Sequence, residues 1–299
     1  MSKQTKMWLI AAASLVAVGI IVFASVMQSV GWDFTKLSTV NFETNTYEIA
    51  EDFSDISLDT DTADIVFERS NDGKSAVVCK EQTNIKHDVS VKNGVLKIGV
   101  IDNREWYEHI GITIGNTQIT IYLADDEYNS LLISEDTGDI EIVDDFKFQS
   151  VDISTSTGDI SLKNVEAKEI DLSVATGHIF AEGINCDETL KIEVSTGKTK
   201  LKDITCKNLS TQGDTGDINL EKVLVAEKIT AERSTGDIFF DQCDAAELHI
   251  TTDTGDVKGN LLSDKIFYAY TDTGRVDVPK STVGGRCEIS TDTGDIIFK

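Results

Sequence analysis

Thr-Gly recurs nine times in the last two-thirds of this chain, with glycines at 138, 158, 177, 197, 216, 236, 255, 274 and 294, always 19 or 20 residues apart. A period this short, held this long, is the mark of a stacked repeat, in which each unit packs on its two neighbours rather than around a shared globular core.

Alignment on the glycine shows what is stacked. Seven residues before it stand Leu131, Val151, Ile170, Leu190, Leu209, Ile229, Leu248, Phe267 and Cys287, and two after it stand Ile140, Ile160, Ile179, Thr199, Ile218, Ile238, Val257, Val276 and Ile296. Around both columns the apolar positions alternate, as in Ile170, Leu172 and Val174, which is the period of strands and not of helices. Each unit therefore reads as strand, Thr-Gly turn, strand, second turn. Val165, Ile184, Ile204, Val223 and Leu262, seven places past the glycine, are expected to tuck the second turn inward. One such turn cannot bury its apolar face alone, so the predicted fold is all-β, a β-solenoid of nine 19–20-residue rungs over residues 131–299. At ~4.8 Å per rung the rod is about 40 Å long.

Before the repeat, no charged residue occurs from Met7 to Trp32. That length exceeds the ~20 apolar residues needed to cross a bilayer. With Lys3 and Lys6 in the leading residues 1–6 and Trp8 and Trp32 near the two interfaces, residues 7–32 read as one transmembrane helix or signal anchor that leaves the rest outside the cytoplasm. A cleaved signal peptide ending near Val22-Phe23-Ala24 is the competing reading. Residues 33–130 read as an irregular β-region capping the solenoid. Asp61-Thr62-Ala63-Asp64-Ile65 resembles a turn with alanine in the glycine's place, Asn93-Gly94 is a two-residue hairpin signal, and Val77-Val78, Val89–Val91, Val95–Ile98 and Ile119–Leu123 are further strands. Because the chain reaches Lys299 directly after a ninth strand pair, that last rung is expected to fold over itself or to pair end to end with another chain.

The net charge of −25 disfavours nucleic acid and anionic lipid as partners of the main surface and favours cations and cationic peptides. Much of it lies beside the turns. Asp139, Asp159, Asp217, Asp237, Asp256 and Asp295 follow the glycine directly, with His178, Lys198 and Arg275 filling the other places, and Asp136, Asp214, Asp253, Asp272 and Asp292 stand two before it. Asp beside Gly ordinarily accepts backbone N–H groups of a turn; calcium bridging neighbouring rungs is the alternative use, although the glycine-rich calcium-binding nonapeptide is absent. No other cofactor is indicated. Asp-Thr-Gly also marks aspartic proteases, but their two carboxylates face each other across one site, whereas here the tripeptide runs along an edge. His87, His109, His178 and His249 are scattered without metal-ligand spacing, and no nucleophile or phosphate-loop motif is present. Cys186 and Cys206, each nine residues past a glycine, share a column on adjacent rungs, where either a disulfide or simple stacking of small side chains would serve.

Thr-Gly-Asp-Ile at 137–140, 157–160, 215–218, 235–238 and 293–296, entered through Ile119–Leu123, Asp125–Tyr128 and Leu131–Ser134, resembles the bacterial putative-adhesin family, a set of domains of unknown function. The resemblance covers residues 50–299 and implies a β-solenoid, often behind one N-terminal membrane helix, with no catalytic residues to carry over. It departs from the pattern at His178 and Lys198, and at Glu135, Gly213 and Arg233 three before the glycine. The expectation is a single-pass envelope protein whose extracytoplasmic solenoid binds or scaffolds without catalysis, toward a surface polymer or protein. A stress-regulatory module that takes cationic peptides is the second reading, and a carbohydrate-active β-helix enzyme the third.

Overall fold

The computed structural model describes residues 2–38, 40–105 and 115–299; His109 lies outside them. Helix α1 (Lys3–Ser29) covers 27 residues, about 40 Å at ~1.5 Å per residue, long and apolar enough to span a hydrocarbon core.

After α1 and a short 3-10 helix (Phe34–Leu37), the strands of the described residues form one continuous sheet of 23. Its start is a cap built from β1 (Phe42–Glu48), β2 (Asp55–Thr62), β3 (Asp64–Arg69), β4 (Ala76–Gln82), β5 (Ile85–Lys92), β6 (Val95–Asp102) and β7 (Gln118–Leu123). Asn93 and Gly94, at φ of 55° and 77°, close the β5–β6 hairpin as their sequence requires. The strands β2 and β3 form a complete rung around Ala63, stacked in register on the Gly138 rung, with Ile56 opposite Leu131 and Ile65 opposite Ile140. The stack thus begins inside the region read from sequence as cap. On the outer side of this rung β6 and β7 add to β2 and β3, and β4, antiparallel to β7, carries β1.

From there the rungs add in parallel and in register: Leu131, Val151, Ile170, Leu190, Leu209, Ile229 and Leu248 lie opposite one another in succession. Nearly all members of the two inward columns are buried, and each fully buried aliphatic side chain contributes about 1.5–3 kcal/mol relative to exposure. The exceptions, Phe267 at half-burial and Val276 at 42% exposure, both belong to the Gly274 rung.

That rung is the end of the stack, although it is not the last in sequence. The strand Gly285–Thr293 pairs on one side with Glu247–Thr254 and on the other with Lys265–Thr273, and Ile296 lies between Val257 and Val276. The chain skips one place, builds the terminal rung, returns through the segment containing Pro279, and fills the gap with its final residues. The last rung therefore neither folds over itself nor offers its own edge. Leu262, expected to tuck inward, is instead 59% exposed. A register shift between Phe240 and Cys243 sets Cys243 opposite Leu261, so Leu261 packs on the core instead.

Candidate functional site

The Thr-Gly-Asp turns form one edge of the stack, and glycine there is a steric requirement. A Cβ on Gly158 would lie 1.9 Å from the carbonyl oxygen of Gly138, and on Gly177 the same distance from that of Gly158. Their φ values of 140° and 145° are themselves unfavourable for any L side chain. Each glycine N–H except that of Gly274, on the terminal rung, donates to the threonine carbonyl of the next rung in the stack, as in Gly158 to Thr176 at 3.0 Å and Gly177 to Thr196 at 2.9 Å. Ala63 is tolerated because it heads the column and has no turn glycine beneath it.

The carboxylates just after the glycine serve the same edge. Asp139 accepts the N–H of Asp159 at 2.8 Å, Asp159 that of His178 at 2.7 Å, Asp237 that of Asp256 and Asp256 that of Asp295, both at 2.7 Å; Asp217 accepts that of Asp237 at 3.3 Å. Stacked carboxylates repel, and an amide donor to each offsets that cost. His178 continues the ladder by accepting the Lys198 N–H on Nδ1 at 2.8 Å, so its neutral ring carries the proton on Nε2. Lys198 cannot accept; its ammonium instead reaches Asp217 at 3.0 Å and holds that carboxyl below its ordinary range. Arg275 stands on the terminal rung, where no further N–H needs an acceptor, and its N–H donates to Asp295 at 2.8 Å.

The acidic residues two before the glycine have a different position. Asp136, Asp214, Asp253, Asp272 and Asp292 are all exposed. Among the described residues none of these side chains holds the edge together: the Asp272 carboxylate accepts only the Tyr270 hydroxyl, and the other four carboxylates have no hydrogen bond or ion pair. They border the outward face of the long strands, where Ser134, Ser154, Ser173, Glu193, Gln212, Glu232, Thr251, Ser290 and Tyr270 form one cross-rung column.

The odd residues three before the glycine point inward and form two buried polar devices. Arg233, 3% exposed, runs across Gly213 to donate to the Val194 carbonyl at 2.6 Å and to Thr199 Oγ1 at 3.0 Å. A Cβ on Gly213 would lie 1.9 Å from Arg233 Nη1 and 1.8 Å from the Val194 oxygen. Thr199, Gly213 and Arg233, on three successive rungs, are thus one arrangement, and the polar Thr199 in an aliphatic column is its acceptor. Burial lowers the guanidinium pKa. Glu135, also 3% exposed, accepts the Ala63 N–H at 2.8 Å, and burial pushes its carboxyl up to about 8.

Cys186 and Cys206 are register partners, as their spacing requires, yet both are free thiols. In-register parallel neighbours point their Cβ atoms the same way at ~4.8 Å, wider than the ~3.8 Å of a disulfide, and the Cys186 thiol donates to the Lys168 carbonyl instead. Cys79, Cys243 and Cys287 are buried free thiols as well.

The architecture is that of a β-solenoid, and the comparisons agree. The Toastrack DUF4097 profile matches residues 53–296, so the chain belongs to that family. No curated protein matches. Among solved structures, a putative adhesin from Parabacteroides merdae superposes with a TM-score of 0.56 at 15% identity, covering 88% of this chain and 98% of that one. A putative adhesin from Parabacteroides distasonis gives 0.54 at 12% identity over 87% and 98%. A putative lipid binding protein from the same species gives 0.53 at 17% identity over 88% and 98%. At these identities the likeness establishes a shared fold.

Proposed function

We infer that this is an adhesin-like binding or scaffolding protein of the bacterial envelope, held to the membrane by α1 with the solenoid on the extracytoplasmic side. One observation carries the reading: the stack uses one set of its turn carboxylates and leaves the other, Asp136, Asp214, Asp253, Asp272 and Asp292, exposed beside a flat, hydroxyl-rich sheet face. A regular surface of this kind suits an extended polymer or another cell surface. The names of the structural relatives, adhesins and a lipid binding protein, support binding as the class of activity.

The exposed carboxylates also favour a cationic partner, which supports the second reading, a module that takes up cationic peptides. Catalysis is the weakest reading. The carboxyl shifted most toward a general acid, Glu135, is sealed inside the stack and cannot reach a polymer. On the outer face, Asp152 lies opposite Asp171, and burial followed by that neighbour's charge raises its pKa. Turnover of any envelope polysaccharide that is lost in Asp152→Asn would overturn the non-enzymatic reading.

The deciding experiment presents the full chain in detergent with neutral envelope glycans, cell-wall material and cationic peptides at ionic strengths of about 0.01 M and about 1 M, where the Debye length is about 30 and 3 Å. Salt-insensitive binding to one glycan supports adhesion. Salt-sensitive binding confined to the peptides supports the second reading, and binding to none contradicts both.

A further inference from the structure

The cap holds a cluster unrelated to the acidic edge. Cys79 and Glu81, two apart on β4, point to the same inward side, and the turn after Gln82 brings His87 on β5 back to them. One potential ligand atom from each of the three lies within 4.8 Å of the others, and all three residues are buried, Glu81 at 0% and His87 at 4% exposure. The carboxylate is held from several directions. Its Oε2 accepts the backbone N–H of His87 and faces His87 Nδ1, both at 2.7 Å. Its Oε1 accepts from Asn45 Nδ2 on β1 at 2.6 Å, with Lys86 Nζ at 3.9 Å. The Tyr47 hydroxyl donates to the His87 carbonyl at 3.2 Å. The hairpin also contains buried polar atoms with no partner among the described residues, Asn84 Oδ1 in the turn and Ser90 Oγ on β5.

We propose that Cys79, Glu81 and His87 form a binding site for a divalent transition metal, with Zn2+ as the ion whose chemistry fits best. Thiolate, imidazole and carboxylate are the three side-chain donors zinc takes, at about 2.3, 2.0 and 2.0 Å. A mixed sulfur, nitrogen and oxygen set discriminates against calcium and magnesium, which require oxygen alone. Tetrahedral bonds of that length place nitrogen and oxygen ligands about 3.3 Å apart, so the 2.7 Å contact between Glu81 and His87 opens by about 0.6 Å and the thiol swings inward. Three protein ligands leave the fourth position for water. Asn45, which fixes Glu81, and Tyr47, which fixes the His87 backbone, act as the outer layer that orients the ligands. Bound metal would pin β4 to β5 and so secure the cap against the first rung.

The test uses the metal alone on the full chain in detergent, stripped of metal beforehand. Titration with Co2+ should give one equivalent bound, visible bands of four-coordinate intensity and a near-ultraviolet sulfur-to-cobalt charge-transfer band, all displaced by Zn2+. Cys79→Ser should abolish the sulfur band. His87→Gln and Glu81→Gln should each weaken Zn2+ binding at least about 100-fold, and Asn45→Ala roughly 10–100-fold, the range for loss of an outer-layer partner. Circular dichroism without metal separates loss of binding from loss of fold, and His87→Gln replaces Cys79→Ser as the deciding variant if the latter unfolds. Absence of stoichiometric binding overturns the proposal, as does binding unchanged in the Cys79 and His87 variants, which would place the ion on the acidic surface.

Discussion

At the scale of single residues, the buried polar groups give the sharpest expectations. Glu135 has a carboxyl pKa of about 8 in the fold against ~4.3 unfolded. The folded state therefore binds more protons than the unfolded state between those values. Its contribution is fully present below about pH 4.3 and is lost as pH rises toward 8. Glu135→Gln, which keeps an acceptor for the Ala63 N–H, should match the parent near pH 4 and exceed it by roughly 3 kcal/mol at pH 7; chemical denaturation at the two pH values measures this, and equal differences at both would refute it. Gly213→Ala should lower stability by about 2 kcal/mol or more, since its Cβ meets a backbone carbonyl that cannot turn away. Replacing Arg233 by methionine should cost about 1–3 kcal/mol in the same denaturation measurement, because it leaves the Val194 carbonyl and the Thr199 hydroxyl without their donor. The sequence displayed Glu135, Gly213 and Arg233 as departures from a regular column. It did not display that Gly213, Arg233 and Thr199 are one device, because a side chain that crosses two rungs joins residues whose periodic positions differ.

At the scale of the rung, the period of the glycines was sufficient to read strand, turn and inward columns from sequence, since stacking forces every unit to repeat the same burial. Order along the stack is a different matter. Adjacent rungs have interchangeable sequences, so nothing local distinguishes a ninth rung placed at the end from one inserted between the seventh and eighth. In retrospect Arg275 in place of aspartate marks the true end, and Val276 and Phe267 are the inward residues left partly uncovered. The cap was legible as strands but not as a cluster, because Cys79, Glu81 and His87 converge only through the antiparallel return of β5. Removal of residues 285–299 should accordingly cost two rungs rather than one. Hydrogen exchange should show loss of amide protection over Lys265–Thr273, whereas survival of that protection would contradict the inserted order. The ladder itself makes a further prediction. Its carboxylates already hold amide donors, so about 1 mM calcium, within the range that loads extracellular sites, should leave the thermal midpoint unchanged; a rise of several degrees would show ions bridging the rungs.

In the whole molecule, the acidic residues of the turn edge fall into two sets with different work. Those following the glycine hold rung to rung, and those two before it face solvent and are available to a partner. The measurement that tests this division most directly compares two variants of the full chain in detergent. One changes Asp136, Asp214, Asp253, Asp272 and Asp292 to asparagine; the other changes Asp139, Asp159, Asp237 and Asp256 to alanine. Thermal stability and binding to a polycationic peptide at low ionic strength are read for both. The first variant should keep its melting temperature and lose binding, while the second should melt at a markedly lower temperature. A first variant that binds like the parent, or a second that melts like it, would contradict the central claim.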